Sequence, residues 1–132
     1  MKISSAGTKT GAMSVNHHIS ACPKAEEAQC ASFCYVESTY ARYKSVVNQD
    51  SLNLDIITGL LEAPEVLAKV YSAAFKSAKV QNARSFRLHE RGDFISPDHF
   101  KAVMLACRDF PNTIFWAYTK SYHCVDVSVV PA

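Results

Sequence analysis

Apolar positions follow a helical spacing through the middle of the chain. Between residues 33 and 80 they recur every three to four positions, which predicts mostly α-helix. Asp50 and Ser51 form a predicted N-cap for one helix, and Pro64 is acceptable in the first turn of the next. A further helix is predicted to open at Ser96-Pro97-Asp98, with its apolar side facing the core.

Shorter apolar runs on either side of the helical region have the pattern of β-strands. Residues 12–19 suggest one short strand, and residues 85–90 alternate between apolar and polar before a turn at Gly92. Residues 113–119 are almost continuously apolar, which predicts a strand covered on both faces. Residues 122–130 are predicted to form one last strand.

The order of these elements predicts a βαβαβ fold of the α/β class. Its strands would form an open parallel sheet or a partial, half-barrel-like sheet with the helices outside. A chain of 132 residues is too short for a complete eight-fold barrel, which takes about 250 residues. In such a fold, ligands gather at the carboxyl ends of the strands.

Composition supports a single domain over residues 1–132. The chain is 48% hydrophobic and 20% charged, which excludes a disordered tail or a low-complexity linker. We divide it into an N-terminal segment and strand (1–21), a cysteine loop (22–35), a helical region (36–80) and a strand-helix-strand unit (85–132).

Charge and hydropathy limit the classes of binding partner and the cellular location that we expect. The formal net charge is +2 and the basic residues are scattered, so nucleic-acid binding is unsupported. No apolar run approaches the ~20 residues of a membrane helix, and residues 1–5 do not lead into a signal-peptide segment. We therefore expect a cytoplasmic protein that does not enter the membrane.

Three cysteines make the cysteine loop the main candidate site. Cys22, Cys30 and Cys34 have the spacing C-x7-C-x3-C, and in a reducing compartment they are more suited to metal binding than to disulfides. Thiolates favour zinc, copper(I) or iron–sulfur clusters. The spacing lacks the paired short intervals of structural zinc sites. Three cysteines on a four-iron cluster leave one iron open, an arrangement that serves radical chemistry starting from S-adenosylmethionine.

Two alternatives stay open for these cysteines. They are ordinary buried residues in the first alternative, because cysteine is among the most buried residue types. In the second they hold zinc with one further ligand, for which the sequence offers His17, His18, His89, His123 and Cys124 without choosing among them.

Polar residues also follow two other strands, at the same carboxyl edge of the predicted sheet. Gly92 and Asp93 follow the second strand, where a carboxylate and an exposed backbone would hold the amino group of an amino-acid-like ligand. The alternative is a helix entrance, with Asp93 or Ser96 satisfying free N–H groups and Arg91 in solvent. Thr119 and Lys120 end the third strand, and Lys120 is either a site residue or simply exposed.

Several separated segments of the chain together resemble the phage "gene product 88" domain family. The resemblance covers residues 8 to 121 and is carried by Thr8-Lys9-Thr10-Gly11, Cys22-Pro23, Cys30-Ala31-Ser32-Phe33-Cys34-Tyr35, residues 87–96 and residues 115–121. The layout is also similar to the N-terminal half of a radical S-adenosylmethionine barrel. That resemblance implies that Cys22, Cys30 and Cys34 hold a cluster and that Gly92 and Asp93 meet the methionine end of the cofactor.

The chain departs from the radical barrel pattern in its cysteine spacing, which is not C-x3-C-x2-C, and in Arg91, which stands where a second glycine would be.

A half-barrel exposes a parallel sheet edge, so we expect a second copy or another protein to cover it. The leading hypothesis is an iron–sulfur protein of the phage family with possible S-adenosylmethionine chemistry. The alternatives are a zinc-stabilised, non-enzymatic module that binds a host or phage protein, and a shortened relative without metal.

Overall fold

A computed structural model describes residues 1–7 and 9–132. Thr8, the first residue of one segment that carries the family resemblance, lies outside the described residues. The strands are β1 (Ile3–Ser4), β2 (Met13–Val15), β3 (Ser85–Leu88) and β4 (Ile114–Ala117). The α-helices are α1 (Tyr35–Arg42), α2 (Lys44–Gly59), α3 (Pro64–Ser77) and α4 (Pro97–Cys107).

The four strands form one open sheet in the order β1-β2-β3-β4. β2, β3 and β4 are parallel, with Val15 beside Leu88 and Leu88 beside Ala117. β1 pairs antiparallel with β2 and was not predicted, because two residues are too few to show an alternating pattern. The predicted α/β class and βαβαβ order are confirmed, as an open sheet within the described residues and not as a closed barrel.

One face of the sheet packs against the helices. Phe86 and Leu88 of β3 are buried, and the Phe86 ring lies 4.9 Å from the ring of Phe75 in α3. On the opposite face, the Arg87 guanidinium lies 5.2 Å from the centre of the Trp116 ring. The prediction that the third strand is covered on both faces is wrong. Phe115 of β4 packs against Phe75, whereas Ile114, on the opposite face of the strand, is 61% exposed.

Two further predictions of secondary structure are wrong. Asp50 is not an N-cap but a buried residue inside α2, which begins six residues earlier at Lys44. The predicted last strand is replaced by two 3-10 turns, Tyr122–Cys124 and Val127–Val129. Local bonds account for these turns, since the Asp126 side chain accepts from the Ser128 N–H at 2.9 Å.

The predicted helix starts with proline are confirmed. α3 begins at Pro64, and α4 begins at Pro97 after Ser96, whose hydroxyl accepts from the His99 N–H at 3.1 Å. This bond satisfies one of the free N–H groups of the first turn. Among the described residues, no helix has the length and apolar character needed to cross a membrane.

Candidate functional site

The carboxyl ends of β3 and β4 and the cysteine loop surround one cavity of about 520 Å³. We call it the cysteine cavity. The seven residues predicted from the sequence all line it: Cys22, Cys30, Cys34, Gly92, Asp93, Thr119 and Lys120. This placement follows from the parallel sheet, because the carboxyl ends of parallel strands and the loops after them lie at the same edge.

Local contacts shape the cysteine loop. Its backbone bonds are short-range, such as Ala28 N–H to Lys24 O at 2.9 Å, and Gln29 adopts a left-handed conformation with φ 54°. A 3-10 turn over Cys30–Phe33 then leads directly into α1. The predicted loop entering a helix is therefore confirmed.

The three loop cysteines are free thiols of intermediate exposure. Burial raises the pKa of Cys22 to about 12, and Asp93, Cys34 and Cys30 add to the shift because each disfavours a second negative charge nearby. The Cys30 thiol contacts the Ala25 carbonyl oxygen at 3.6 Å. Among the described residues, no three His, Cys, Asp or Glu side chains are close enough to hold one metal ion.

Asp93 joins the ends of β3 and β4 through its carboxylate. Its Oδ1 accepts from the Thr119 hydroxyl at 2.6 Å and from the Phe94 N–H at 2.8 Å, and its Oδ2 accepts from the Lys120 N–H at 2.8 Å. The structure thus brings Asp93, Thr119 and Lys120 together, as the sequence predicted. Three of the carboxylate's acceptor positions are already used within the protein.

Gly92 is required by the packing of a histidine behind it. Its φ of +85° lies in the left-handed region, and a Cβ at this position would come within 2.6 Å of the His17 ring. The glycine therefore leaves space for His17.

Arg91 is not in solvent but holds the turn against α2. Its Nε donates to Asp50 Oδ2 at 2.6 Å, and its side chain is 11% exposed while that of Asp50 is fully buried. Tyr40 of α1 donates its hydroxyl to the same carboxylate at 2.9 Å. Arg91 also lies 3.5 Å from the neighbouring Glu90 carboxylate. The pairing with Asp50 was not predicted, because Asp50 is distant in sequence.

Three buried histidines lie behind the cysteine cavity. The rings of His17, His89 and His99 lie 5.1 to 5.7 Å apart, centre to centre. We name them the histidine cluster. His99 is fully buried: its Nδ1 accepts from the Ile95 N–H at 3.1 Å, and its Nε2 lies 2.7 Å from the Tyr71 hydroxyl. The sequence carries a signal for this burial, because His99 shares one face of α4 with Val103 and Cys107.

Aromatic side chains surround the mouth of the cavity. Phe33, Tyr35, Tyr118 and Tyr122 line it and are largely exposed, Phe33 by 75%. The Tyr35 hydroxyl donates to the Glu90 carbonyl at 2.7 Å, which links the end of the cysteine loop to the strand end. Phe33 therefore lies at the opening of the cavity.

Comparison with known proteins places this chain beside a phage family. Residues 2–131 match the family described as Gene product 88. The chain is 31% identical over 102 residues to the Gene 88 protein of Mycobacterium phage D29 and, over the same length, to that of Mycobacterium phage L5. Each alignment covers 75% of this chain and 42% of the relative, so the matched part is less than half of either relative. No solved structure matches the chain.

Proposed function

The chain belongs to the Gene product 88 family, and for this member we propose that Cys22, Cys30 and Cys34 hold an iron–sulfur cluster in the cysteine cavity. The cysteines are the residues on which the proposal depends. The strand ends that face them form the remaining wall of the site.

The observation that carries the proposal is that the three cysteines line one cavity at the carboxyl ends of the strands. A cluster suits ligands spread around a cavity, because each thiolate binds a different iron. A single zinc ion needs four ligands in a closed tetrahedron, usually with paired short cysteine intervals, which the C-x7-C-x3-C spacing lacks. The spacing therefore favours a cluster over the zinc alternative.

The electrostatics of the site fit a positively charged centre. Burial, and next the Asp93 carboxylate, raise the pKa of Cys22, so a Cys22 thiolate without a nearby positive charge is unfavourable. Metal binding deprotonates its thiol ligands and releases protons. We therefore expect loading to be tighter at pH 8 than at pH 6.

The geometry supports the metal centre further than it supports S-adenosylmethionine. Asp93, which the resemblance assigns to the methionine end of that cofactor, already bonds Thr119, Lys120 and Phe94. Binding of S-adenosylmethionine at Gly92, Asp93, Thr119 and Lys120 stays a prediction. So do radical chemistry, location in the host cytoplasm, and the covering of the β4 edge by a second copy or another protein.

Anaerobic reconstitution with ferrous iron and sulfide tests the proposal. We expect a brown protein with about four iron atoms per chain. The triple variant Cys22→Ala, Cys30→Ala, Cys34→Ala should lose the iron and keep its far-UV circular dichroism. Cys107→Ala is the matched control, because Cys107 is a buried core residue of α4 that does not line the cysteine cavity, and it should keep the iron.

The zinc alternative has a different outcome in the same experiment. Colourless protein that carries one tightly bound zinc per chain would contradict the cluster and support the zinc alternative. Equal iron content in the wild type and the triple variant would show that the three cysteines do not bind the iron.

A further inference from the structure

The face of the sheet opposite the helices carries a cation among aromatic rings. The Arg87 guanidinium lies 5.2 Å from the centre of the Trp116 ring and 5.9 Å from the centre of the Tyr118 ring. The two rings meet edge to face, with their centres 5.6 Å apart. Tyr118 is 77% exposed. This face therefore presents open aromatic surface next to a positive charge.

The positive charge of Arg87 is incompletely compensated. Its side chain is 19% exposed, and its Nε is buried without a hydrogen-bond partner among the described residues. Its ion pair with Glu90 is long, at 4.0 Å, and the Glu90 carboxylate is shared with Arg91 at 3.5 Å. A largely buried cation without a close counter-charge is unfavourable. A further anion on this face would complete the compensation.

Two cavities meet at Arg87 and form one groove. The cysteine cavity and a second cavity of about 510 Å³ share Tyr35, Arg87 and Glu90 in their walls. The second cavity reaches Lys9, and the cysteine cavity reaches Lys120. We call the two cavities together the aromatic groove, because exposed aromatic side chains line it: Phe33, Tyr35, Tyr118 and Tyr122.

The described residues that line the aromatic groove have an excess of positive charge. Lys24 and Arg91 of the lining pair with Glu27 and Asp50, which lie outside it. With these pairs set aside, three cations face two carboxylates: Lys9, Arg87 and Lys120 face Glu90 and Asp93.

The two lysines among these cations carry charge that the protein does not neutralise. Among the described residues, neither Lys9 nor Lys120 takes part in an ion pair. Asp93 instead accepts hydrogen bonds from Thr119, Phe94 and the Lys120 backbone. The basic residues are scattered along the sequence, and the fold brings them to one groove. Its charge therefore suits an anionic ligand.

We propose that the aromatic groove binds single-stranded nucleic acid. Proteins that bind single strands combine cations that follow the phosphates with aromatic side chains on which successive bases stack. A duplex offers phosphates but keeps its bases stacked inside, and an acidic peptide offers charge without flat bases. Exposed rings beside uncompensated cations match the single strand. The proposal does not depend on the iron–sulfur cluster, because no cysteine carries it.

Fluorescence anisotropy of the full chain tests the proposal. The labelled probe is an oligothymidylate of about twenty nucleotides, longer than the ~4–16 nucleotides that one small domain covers. We expect it to bind at least about fivefold tighter than the same sequence in a duplex or an acidic peptide of equal charge. No binding of the single strand, or equal Kd values for the three probes, overturns the proposal.

Salt and sugar extend the same measurement. Three phosphate contacts predict a roughly 20-fold rise in Kd between about 50 and about 200 mM salt, since each contact contributes a slope of about 0.7 for a single strand. A Kd that does not change with salt contradicts the role of the cations. An oligouridylate of equal length is the RNA probe, and the tighter of the two sugars identifies the preferred nucleic acid.

Tyr118→Ala isolates the contribution of stacking. The variant removes an exposed ring and should raise the Kd for the oligothymidylate at least about fivefold, whereas Tyr118→Phe keeps the ring and should bind as the wild type does. Tyr43→Ala is the matched control, because Tyr43 is 57% exposed and lines neither cavity. Equal Kd values for Tyr118→Ala and Tyr43→Ala would overturn the proposal.

Lysine variants isolate the contribution of charge. Lys9→Gln and Lys120→Gln should each weaken binding and reduce its salt dependence, because each removes one phosphate contact. Lys76→Gln is the matched control, since Lys76 is exposed on α3 and lines a different cavity. The three lysines are exposed, and unchanged thermal unfolding verifies that the variants fold. Equal effects of all three variants would reduce the interaction to net charge and contradict a defined groove.

Discussion

Gly92 is fixed by its contact with His17. It has a positive φ, and its missing Cβ is the space that the imidazole fills. The sequence led us to expect that the glycine admits a ligand to the backbone. The structure adds a further requirement for glycine, because the space of the missing Cβ is occupied by the His17 ring.

Gly92→Ala should destabilise the protein by about 2–4 kcal/mol, since overpacking costs about 1–3 kcal/mol and a left-handed alanine adds about 1 kcal/mol. Gly59→Ala is the matched control. Gly59 ends α2 with open space around it, so this substitution should raise the free energy of unfolding slightly, by up to about 1 kcal/mol. Urea unfolding of both variants measures the difference. Equal stabilities would show that the His17 ring moves aside at little cost.

Between elements, the buried pair of Arg91 and Asp50 ties the glycine turn to α2. Arg91 also donates from its NH2 group to the Ser4 hydroxyl at 3.2 Å, which brings β1 into the same network. Charges that are far apart in sequence thus position the turn that borders the cysteine cavity. Neither charge is recognisable as buried from local periodicity.

Asp50→Asn should cost about 3 kcal/mol, the low end for a broken buried ion pair, because Arg91 loses its buried counter-charge and keeps the partly exposed Glu90 carboxylate at 3.5 Å. Glu27→Gln makes the same change at an exposed pair, where the Lys24 ammonium lies 2.7 Å from a carboxylate that is 71% exposed. It should leave the free energy of unfolding within experimental error. Thermal and urea unfolding compare the two, and similar losses in both would contradict the assigned burial of Asp50.

Across the whole molecule, the histidine cluster makes stability depend on pH. Its members come from the ends of β2 and β3 and from α4, and burial lowers the pKa of each, that of His99 to about 3. Asp50 and Asp93 partly oppose the shift at His17. Folded pKa values below the unfolded value mean that the unfolded chain binds more protons.

The free energy of unfolding should be greatest above about pH 7 and should fall as pH decreases through 6.5 toward 3. Each histidine contributes up to about 1.4 kcal/mol per pH unit in this window. Urea unfolding at pH 7, 6 and 5 measures the slope, which should be smaller in His89→Asn. A free energy that does not change with pH would show that the three rings are not buried in neutral form.

The sequence by itself determined the order of the elements from β2 to β4 and the position of the candidate site. Helical spacing, the prolines at Pro64 and Pro97 and the alternation before Gly92 are local signals. Strand order then requires the cysteine loop and two strand ends to share one edge, so Cys22, Asp93 and Thr119 were placed together without coordinates. These features follow from short-range backbone preferences and from parallel topology.

Tertiary structure decided which polar residues are buried and with what partners. Three buried residues depend on contacts that are distant in the chain: Asp50 in α2, His99 in α4, and His89, whose ring nitrogens have no hydrogen-bond partner among the described residues. The exposure of β4 depends on which face of the sheet the helices cover. The residues after β4 form turns, because local side-chain bonds replace a strand partner. Such contacts join specific pairs of residues that are distant in sequence. A periodic pattern cannot predict them, because it indicates only which side of an element faces inward.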